Sequence, residues 1–219
     1  SYAMFSPGRN WEQVRTTIAY NNANVKIIGA HAGVSVGPDG ATHQAIEDIA
    51  ITRVIPNMIV IAPADVHEAR KATLAAAKHE GPVYIRLGRS ASPVVTSPES
   101  PFIIGKAELM YSRDESLEKK VGIVVTGSLL HNALMAAEEL QKAGIGASVL
   151  HMPTIKPFDG EALEAFAKDH GAIVTVEEHQ VIGGLGGAVA EHLSETIPTK
   201  MVRVGMQDRF GESGEPDEL

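Results

Sequence analysis

Cysteine is absent from the 219-residue chain. No disulfide and no thiolate metal site can form, a pattern that fits a reducing compartment and makes the cytoplasm the expected location. Positive charge is in deficit: 19 Lys and Arg against 27 Asp and Glu leave a net charge of −8. No basic cluster is present to neutralise a phosphate backbone, so a nucleic-acid partner is not expected. Long apolar runs are also missing. None approaches the roughly 20 residues needed to span a bilayer, and Ser1-Tyr2-Ala3-Met4-Phe5 lacks the charged start and apolar core of a secretion signal. A membrane partner is not expected either.

What remains is the composition of a folded domain, 44% hydrophobic and 21% charged, with enough length for one large core or two smaller ones. Two are expected. In the first half, apolar runs of strand length at Val25-Lys26-Ile27-Ile28, Met58-Ile59-Val60-Ile61 and Pro82-Val83-Tyr84-Ile85-Arg86-Leu87 alternate with helical patterns over 44–53 and after Asp65. Asp65 is a good N-cap, and Val66, Ala69, Leu74 and Ala77, with Thr73, form the stripe expected to face the core. Residues 91–105 hold Pro93, Pro98 and Pro101 among serines and a threonine, which reads as a linker. A second alternation follows, with strands at 121–125, 147–150, 172–176 and 201–204 and helices at 129–143, 160–168 and 185–195. Two α/β domains with mostly parallel sheets are therefore predicted, at residues 1–92 and 119–219 with a linker over 93–118.

The chemistry is placed in the glycine-rich loop from Gly29 to Gln44, which leaves a strand and enters a helix. Ligands bind at that edge of open α/β sheets, and glycines at 29, 33, 37 and 40 let the backbone approach a ligand closely. The loop carries two imidazoles, His31 and His43, able to exchange protons near neutral pH, and Asp39, able to accept hydrogen bonds from sugar hydroxyls. One such histidine alone would more often satisfy a nearby carbonyl; the three together point to a site. Arg89, beside Gly88 at the end of a strand, suits a phosphate held by charge-assisted bonds; for Arg86 a salt bridge at the rim is as good a reading. The glycine turn Gly183-Gly184-Leu185-Gly186-Gly187 departs from G-x-G-x-x-G and follows Glu177 and Glu178, which would repel a pyrophosphate, so close packing of helix on strand, or a subunit contact, is expected there.

The run Val36-Gly37-Pro38-Asp39-Gly40-Ala41-Thr42-His43-Gln44, with Glu47, resembles the substrate loop of transketolases, a family of thiamine-diphosphate enzymes. Tyr2-Ala3-Met4-Phe5, Ile55-Pro56-Asn57-Met58, Pro63-Ala64-Asp65, Arg86-Leu87-Gly88-Arg89, Glu177-Glu178-His179 and the tail Arg209-Phe210-Gly211-Glu212-Ser213-Gly214 are similar to family segments in the family's order. The resemblance implies a pyrimidine-binding domain followed by the C-terminal domain, and a chain that lacks an N-terminal portion. Tyr2, Phe5 and Arg9 match the pocket that receives the cofactor's aminopyrimidine ring. It further implies that His31 and His43 act on carbonyl and hydroxyl oxygens, that Asp39 binds a hydroxyl and that Arg89 grips the substrate phosphate.

The Gly-Asp-Gly sequence with which this family holds diphosphate and Mg2+ does not occur, since Pro38 precedes Asp39-Gly40. No metal ligand is assigned, and no residue is assigned to the family's cofactor-activating glutamate. The implied assembly is a homodimer or heterotetramer in which a second subunit carries the diphosphate domain. The implied reaction transfers a two-carbon ketol unit between sugar phosphates, in the pentose phosphate pathway. Deoxyxylulose-phosphate synthase shares the Asp39-Gly40 and Thr42-His43 pattern and is the rival enzyme reading. An inactive truncated subunit acting as an assembly partner is the rival from outside enzymology.

Overall fold

The computed structural model describes residues 1–219. The chain opens with a helical stretch made of Met4–Arg9, Trp11–Gln13 (α1) and Val14–Ala19. Strand β1 (Lys26–Gly29), helix α2 (Asp48–Arg53), strand β2 (Ile59–Ile61), helix α3 (Val66–Lys78) and strand β3 (Val83–Arg86) follow. These strands are parallel in the order β1-β3-β2. Every residue of β2 and β3 is buried, as unbroken apolar runs in a parallel sheet require.

The second half contributes β4 (Glu108–Tyr111), β5 (Lys120–Val125), α4 (Leu130–Lys142), β6 (Gly146–His151), β7 (Thr154–Lys156), α5 (Gly160–His170), β8 (Ala172–Gln180), α6 (Leu185–Glu195) and β9 (Lys200–Met206). Its sheet has the order β4-β6-β5-β8-β9 and is parallel except for β4. The two mostly parallel α/β layers expected from the alternation are present.

Two strands depart from the expected division. β4 lies inside the span 93–118 read as a linker and forms the antiparallel edge of the second sheet. β7, from the second half, crosses over and pairs antiparallel with β2, Val60 opposite Lys156 and Ile61 opposite Thr154. Lys156 Nζ then donates to the carbonyls of Arg53 and Ile55 at 3.1 and 2.6 Å. Val60 and Tyr84 of the first sheet share one apolar core with Val124, Leu150, Leu163 and Leu185 of the second layer.

Two helices also differ. The pattern over 44–53 becomes helical only at Asp48, because Ala45 is drawn into the sheet edge instead: Ala32 bridges Ala45, and Gly33 N–H donates to the Ala45 carbonyl at 2.8 Å. On α3 the expected stripe points outward, with Val66 63% and Leu74 49% exposed. The helix instead turns Ala72 and Ala76 to Ile59, Ile61, Val83 and Ile85, since small residues let it lie close to the sheet. Glu68 is buried on the same face, where its carboxylate takes Ala64 N–H at 2.6 Å and meets His151 Nε2 at 2.8 Å.

Asp65 caps α3 as expected, accepting from His67 N and Glu68 N at 3.0 Å each. It also accepts from Val95 N, Thr96 N and Thr96 Oγ1 at 2.8, 2.6 and 2.7 Å, tying the segment after β3 to the helix. Burial pushes this carboxyl up, but the accepted hydrogen bonds outweigh it and bring it to about 2.

Candidate active site

β1 and β3 end side by side, and the chain leaving each stays in register for one more step. Leu87 N–H donates to the Gly29 carbonyl at 2.9 Å and Ala32 N–H to the Leu87 carbonyl at 3.0 Å. His31 and Arg89 therefore emerge at the carboxyl edge of adjacent parallel strands, the usual place for a ligand in such sheets. The first residues join this edge: Tyr2 bridges Ala30, and Ala3 N–H donates to the Ala30 carbonyl at 2.7 Å.

Five of the expected site residues form one aromatic cluster. The Tyr2 ring stacks on His31 with centroids 4.1 Å apart at 12°, and on Phe5 at 6.0 Å and 18°. His43 meets both edge-on, 6.1 Å from Tyr2 and 5.6 Å from Phe5. The Arg9 guanidinium lies 5.0 Å from the Phe5 centroid, within cation–π range. His31 takes a left-handed conformation at φ 57°, and its Nδ1 is buried with no hydrogen-bond partner. Left-handed backbone at a non-glycine residue is a mark of functional loops. His43 Nδ1 lies 2.9 Å from Thr42 Oγ1.

Asp39 and Arg89 form a second group. Arg89 Nη1 donates to the Val36 carbonyl at 2.7 Å and lies 3.7 Å from Asp39 Oδ1, with both side chains over a third exposed. No hydrogen bond or ring contact joins this pair to the cluster. Arg86 does not sit at the rim: its Nε donates to Asp48 Oδ2 at 2.9 Å with both side chains buried. Burial opposes the Arg86 charge, but the carboxylates of Asp48 and Glu178 outweigh it and raise the guanidinium's affinity for its proton. Tyr84 OH donates to the same Asp48 oxygen at 2.6 Å, and burial pushes its phenol well up.

Three residues that the sequence analysis names in family segments, but without a site role, hold the loop or line the space beside it. Gln44 is buried, and its Nε2 donates to the carbonyls of Val34 and Glu212 at 3.0 Å each, fastening the loop to the chain's last residues. Glu178 Oε1 accepts from Ser35 N at 2.6 Å. The E-E-H run was visible; that its middle carboxylate reaches a loop 143 residues away was not. Glu47 lines an open cavity of about 480 Å³ with Met4, Phe5, Gly8, Arg9, Trp11 and Ile51. Burial pushes its carboxyl up; the bond from Ile46 N pulls it down, and the Asp48 charge pushes it up again.

Glu177 turns from the loop to α6, accepting from Leu185 N and Gly186 N at 2.6 and 2.7 Å. It satisfies the first N–H groups of that helix, and a Cβ on Gly184 would collide with its carboxylate. Close packing is thus what the glycine turn provides. Burial pushes the Glu177 carboxyl up to about 7 against the pull of those two N–H groups.

Flat rings, two imidazoles and a cation stand together at the carboxyl edge of the parallel strands of an α/β protein, an arrangement with the parts for heteroaromatic stacking and proton exchange. Residues 1–94 match the transketolase pyrimidine-binding domain, and residues 111–219 match the transketolase C-terminal domain. A Methanocaldococcus jannaschii protein provisionally named a transketolase C-terminal section is 44% identical over all of this chain and 68% of its own length. A 6-deoxy-6-sulfo-D-fructose transketolase subunit of a Clostridium species is 43% identical over all of this chain and 66% of its own. A solved split-gene transketolase, described as an inactive β4 tetramer, superposes with a TM-score of 0.90 at 48% identity, covering 99% of this chain and 68% of that one. The chain belongs to the transketolase family. It spans about two thirds of the length of these relatives.

Proposed function

We propose that this chain is the pyrimidine-binding and substrate-recognising subunit of a two-chain transketolase. The observation that carries the reading is the cluster of Tyr2, Phe5 and Arg9 packed against His31 and His43. Flat aromatic faces beside open space fit an aminopyrimidine ring. The side chains that would hold a metal are another matter, since no group of three or more Asp, Glu, His or Cys stands together. On this reading the partner subunit holds Mg2+ and the diphosphate, and the working unit is a homodimer of such pairs, that is, a heterotetramer. The description of the β4 tetramer as inactive fits a subunit that needs its partner.

Bound thiamine diphosphate would supply the nucleophilic carbon and the electron sink for breaking a ketose carbon–carbon bond. The chain's own residues do the rest. Phe5 and Tyr2 are the rings that would receive the pyrimidine, and Arg9, 5.0 Å from the Phe5 centroid, would bound that pocket. His31 and His43 hold protons at the substrate's carbonyl and hydroxyl oxygens, Asp39 accepts a hydroxyl, and Arg89 grips the terminal anion. Relatives named for a sulfo-sugar and for apulose 4-phosphate suit an arginine at that point, because a guanidinium pairs with either anion. The reading places the chain in the cytoplasm and, with a phosphorylated ketose donor, in pentose phosphate metabolism.

Calorimetry tests it: the chain alone should not take up thiamine diphosphate and Mg2+ tightly, and the pair with its diphosphate-domain subunit should. Micromolar binding by the isolated chain overturns the division of labour. Ketol transfer from xylulose 5-phosphate to ribose 5-phosphate, set against condensation of pyruvate, separates transketolase from deoxyxylulose-phosphate synthase. Cofactor uptake by the pair without either reaction would favour an inactive assembly partner.

A further inference from the structure

We propose that Glu178, supplied by the C-terminal sheet, is a positioning residue that sets the conformation of the loop carrying His31, Asp39 and His43. The inference rests on the transketolase reading for its chemistry and on the following contacts for its geometry. Glu178 Oε1 takes the backbone N–H of Ser35 at 2.6 Å, and Oε2 takes the hydroxyl of Ser128 at 3.3 Å. The carboxylate lies against Gly33 Cα, where any Cβ would collide with it, and Gly33 has φ 90°. The loop thus approaches this carboxylate through the one residue type that leaves room for it.

The far end of the contact is rigid as well. The Glu178 carbonyl takes Arg86 Nη2 at 2.7 Å, and Arg86 is locked by Asp48, which also takes Tyr84 OH. The carboxylate that fixes Ser35 is therefore on a strand pinned to the end of β3, the strand that leads to Arg89. Ser35 lies between His31 and Asp39, and Ser90 Oγ donates to its carbonyl at 3.3 Å. Removing the carboxylate takes away the anchor of the Ser35 N–H and loosens the middle of the loop, which the bonds to the Val34 and Val36 carbonyls then hold from either side, while both histidines stay unchanged. A displacement of about 1 Å at reacting groups is enough to cost on the order of a hundredfold in rate. The C-terminal domain then has a part in the reaction without touching the substrate.

The test uses the enzyme assembled from this chain and its diphosphate-domain subunit, as parent, Glu178→Ala and Glu178→Gln. Glutamine keeps an oxygen for Ser35 N–H; alanine does not. For Glu178→Ala we expect kcat per cofactor-loaded site to fall about tenfold or more. Its Tm and its affinity for thiamine diphosphate should match the parent, and amide hydrogen exchange should speed up over residues 33–43. Glu178→Gln should restore both the turnover and the protection. Equal losses in the two variants, loss of activity only in proportion to loss of assembly, or faster exchange with unchanged kcat would each overturn the proposal. Absence of ketol transfer in the parent overturns the parent reading, and the mechanistic role with it. The exchange data would in that case judge the loop anchor separately.

Discussion

The Arg86 guanidinium donates to the Asp48 carboxylate at 2.9 Å in the dry interior, and neither side chain is more than 7% exposed. This pair joins α2 to the end of β3 and, through the Glu178 carbonyl, joins the first sheet to the second. A buried pair of this kind is most costly when one half is removed, because the other is left charged without a partner. Arg86→Met is expected to destabilise the chain by about 3–5 kcal/mol, read as a shift in the urea midpoint. A loss below about 1 kcal/mol, the range of exposed pairs, would show that the pair does not hold the layers together.

His43→Ala is expected to act on turnover rather than on folding. The side chain is only part-buried and makes one hydrogen-bond contact, with Thr42 Oγ1 of the same loop. Loss of a general acid–base group lowers kcat by about 10²–10⁴-fold, while stability should fall by only about 1 kcal/mol, the scale of the edge-on ring contacts with Tyr2 and Phe5. Steady-state kinetics of the assembled pair beside thermal melts checks both halves; full activity, or an equal loss of folding, contradicts the assigned role.

Arg89→Ala should discriminate between substrates. Its side chain is 42% exposed, and Nη1 donates to the Val36 carbonyl. For phosphorylated substrates kcat/KM should fall about tenfold to a hundredfold, the range of one charge-assisted contact. Hydroxypyruvate, which has no phosphate, should be turned over nearly as before. An equal loss on both donors would mean that Arg89 serves the loop through Val36 and not the anion.

Asp65 predicts the acid limb of stability. Its folded value of about 2 lies below the ordinary 3.8, so it stabilises the fold fully above about pH 4 and loses that contribution as pH falls toward 2. The difference corresponds to about 2 kcal/mol. Asp65→Asn, left with one oxygen for five donors, should lose about that much at pH 7 and show a shallower decline between pH 4 and 2. Urea titrations of both proteins at pH 7, 4 and 3 give the comparison. The parent-minus-variant difference cancels Glu177, whose raised value acts in the opposite sense, with stability lost as pH rises from 4.5 to about 7.

The alternation of strands and helices, the glycine-rich loop and the Asp65 cap were legible in the sequence, because each depends on residues near one another in the chain. The family resemblance, carried by the loop and by the segment Tyr2-Ala3-Met4-Phe5, likewise pointed to Tyr2, Phe5, His31 and His43, which the fold brings into one cluster. What α3 buries was not legible. Spacing marked Val66 and Leu74, but the sheet beneath takes Ala72 and Ala76, and Glu68 is buried where Ala64 N–H and His151, from a strand of the other sheet, meet its carboxylate. β7 carries no signal that it belongs to the first sheet; that pairing exists only once β2 presents a free edge. Glu177 and Glu178 are neighbours in the sequence with opposite destinations, one capping α6 and the other holding Ser35. Successive side chains on a strand point to opposite faces, and what waits on each face is decided by the assembled layers.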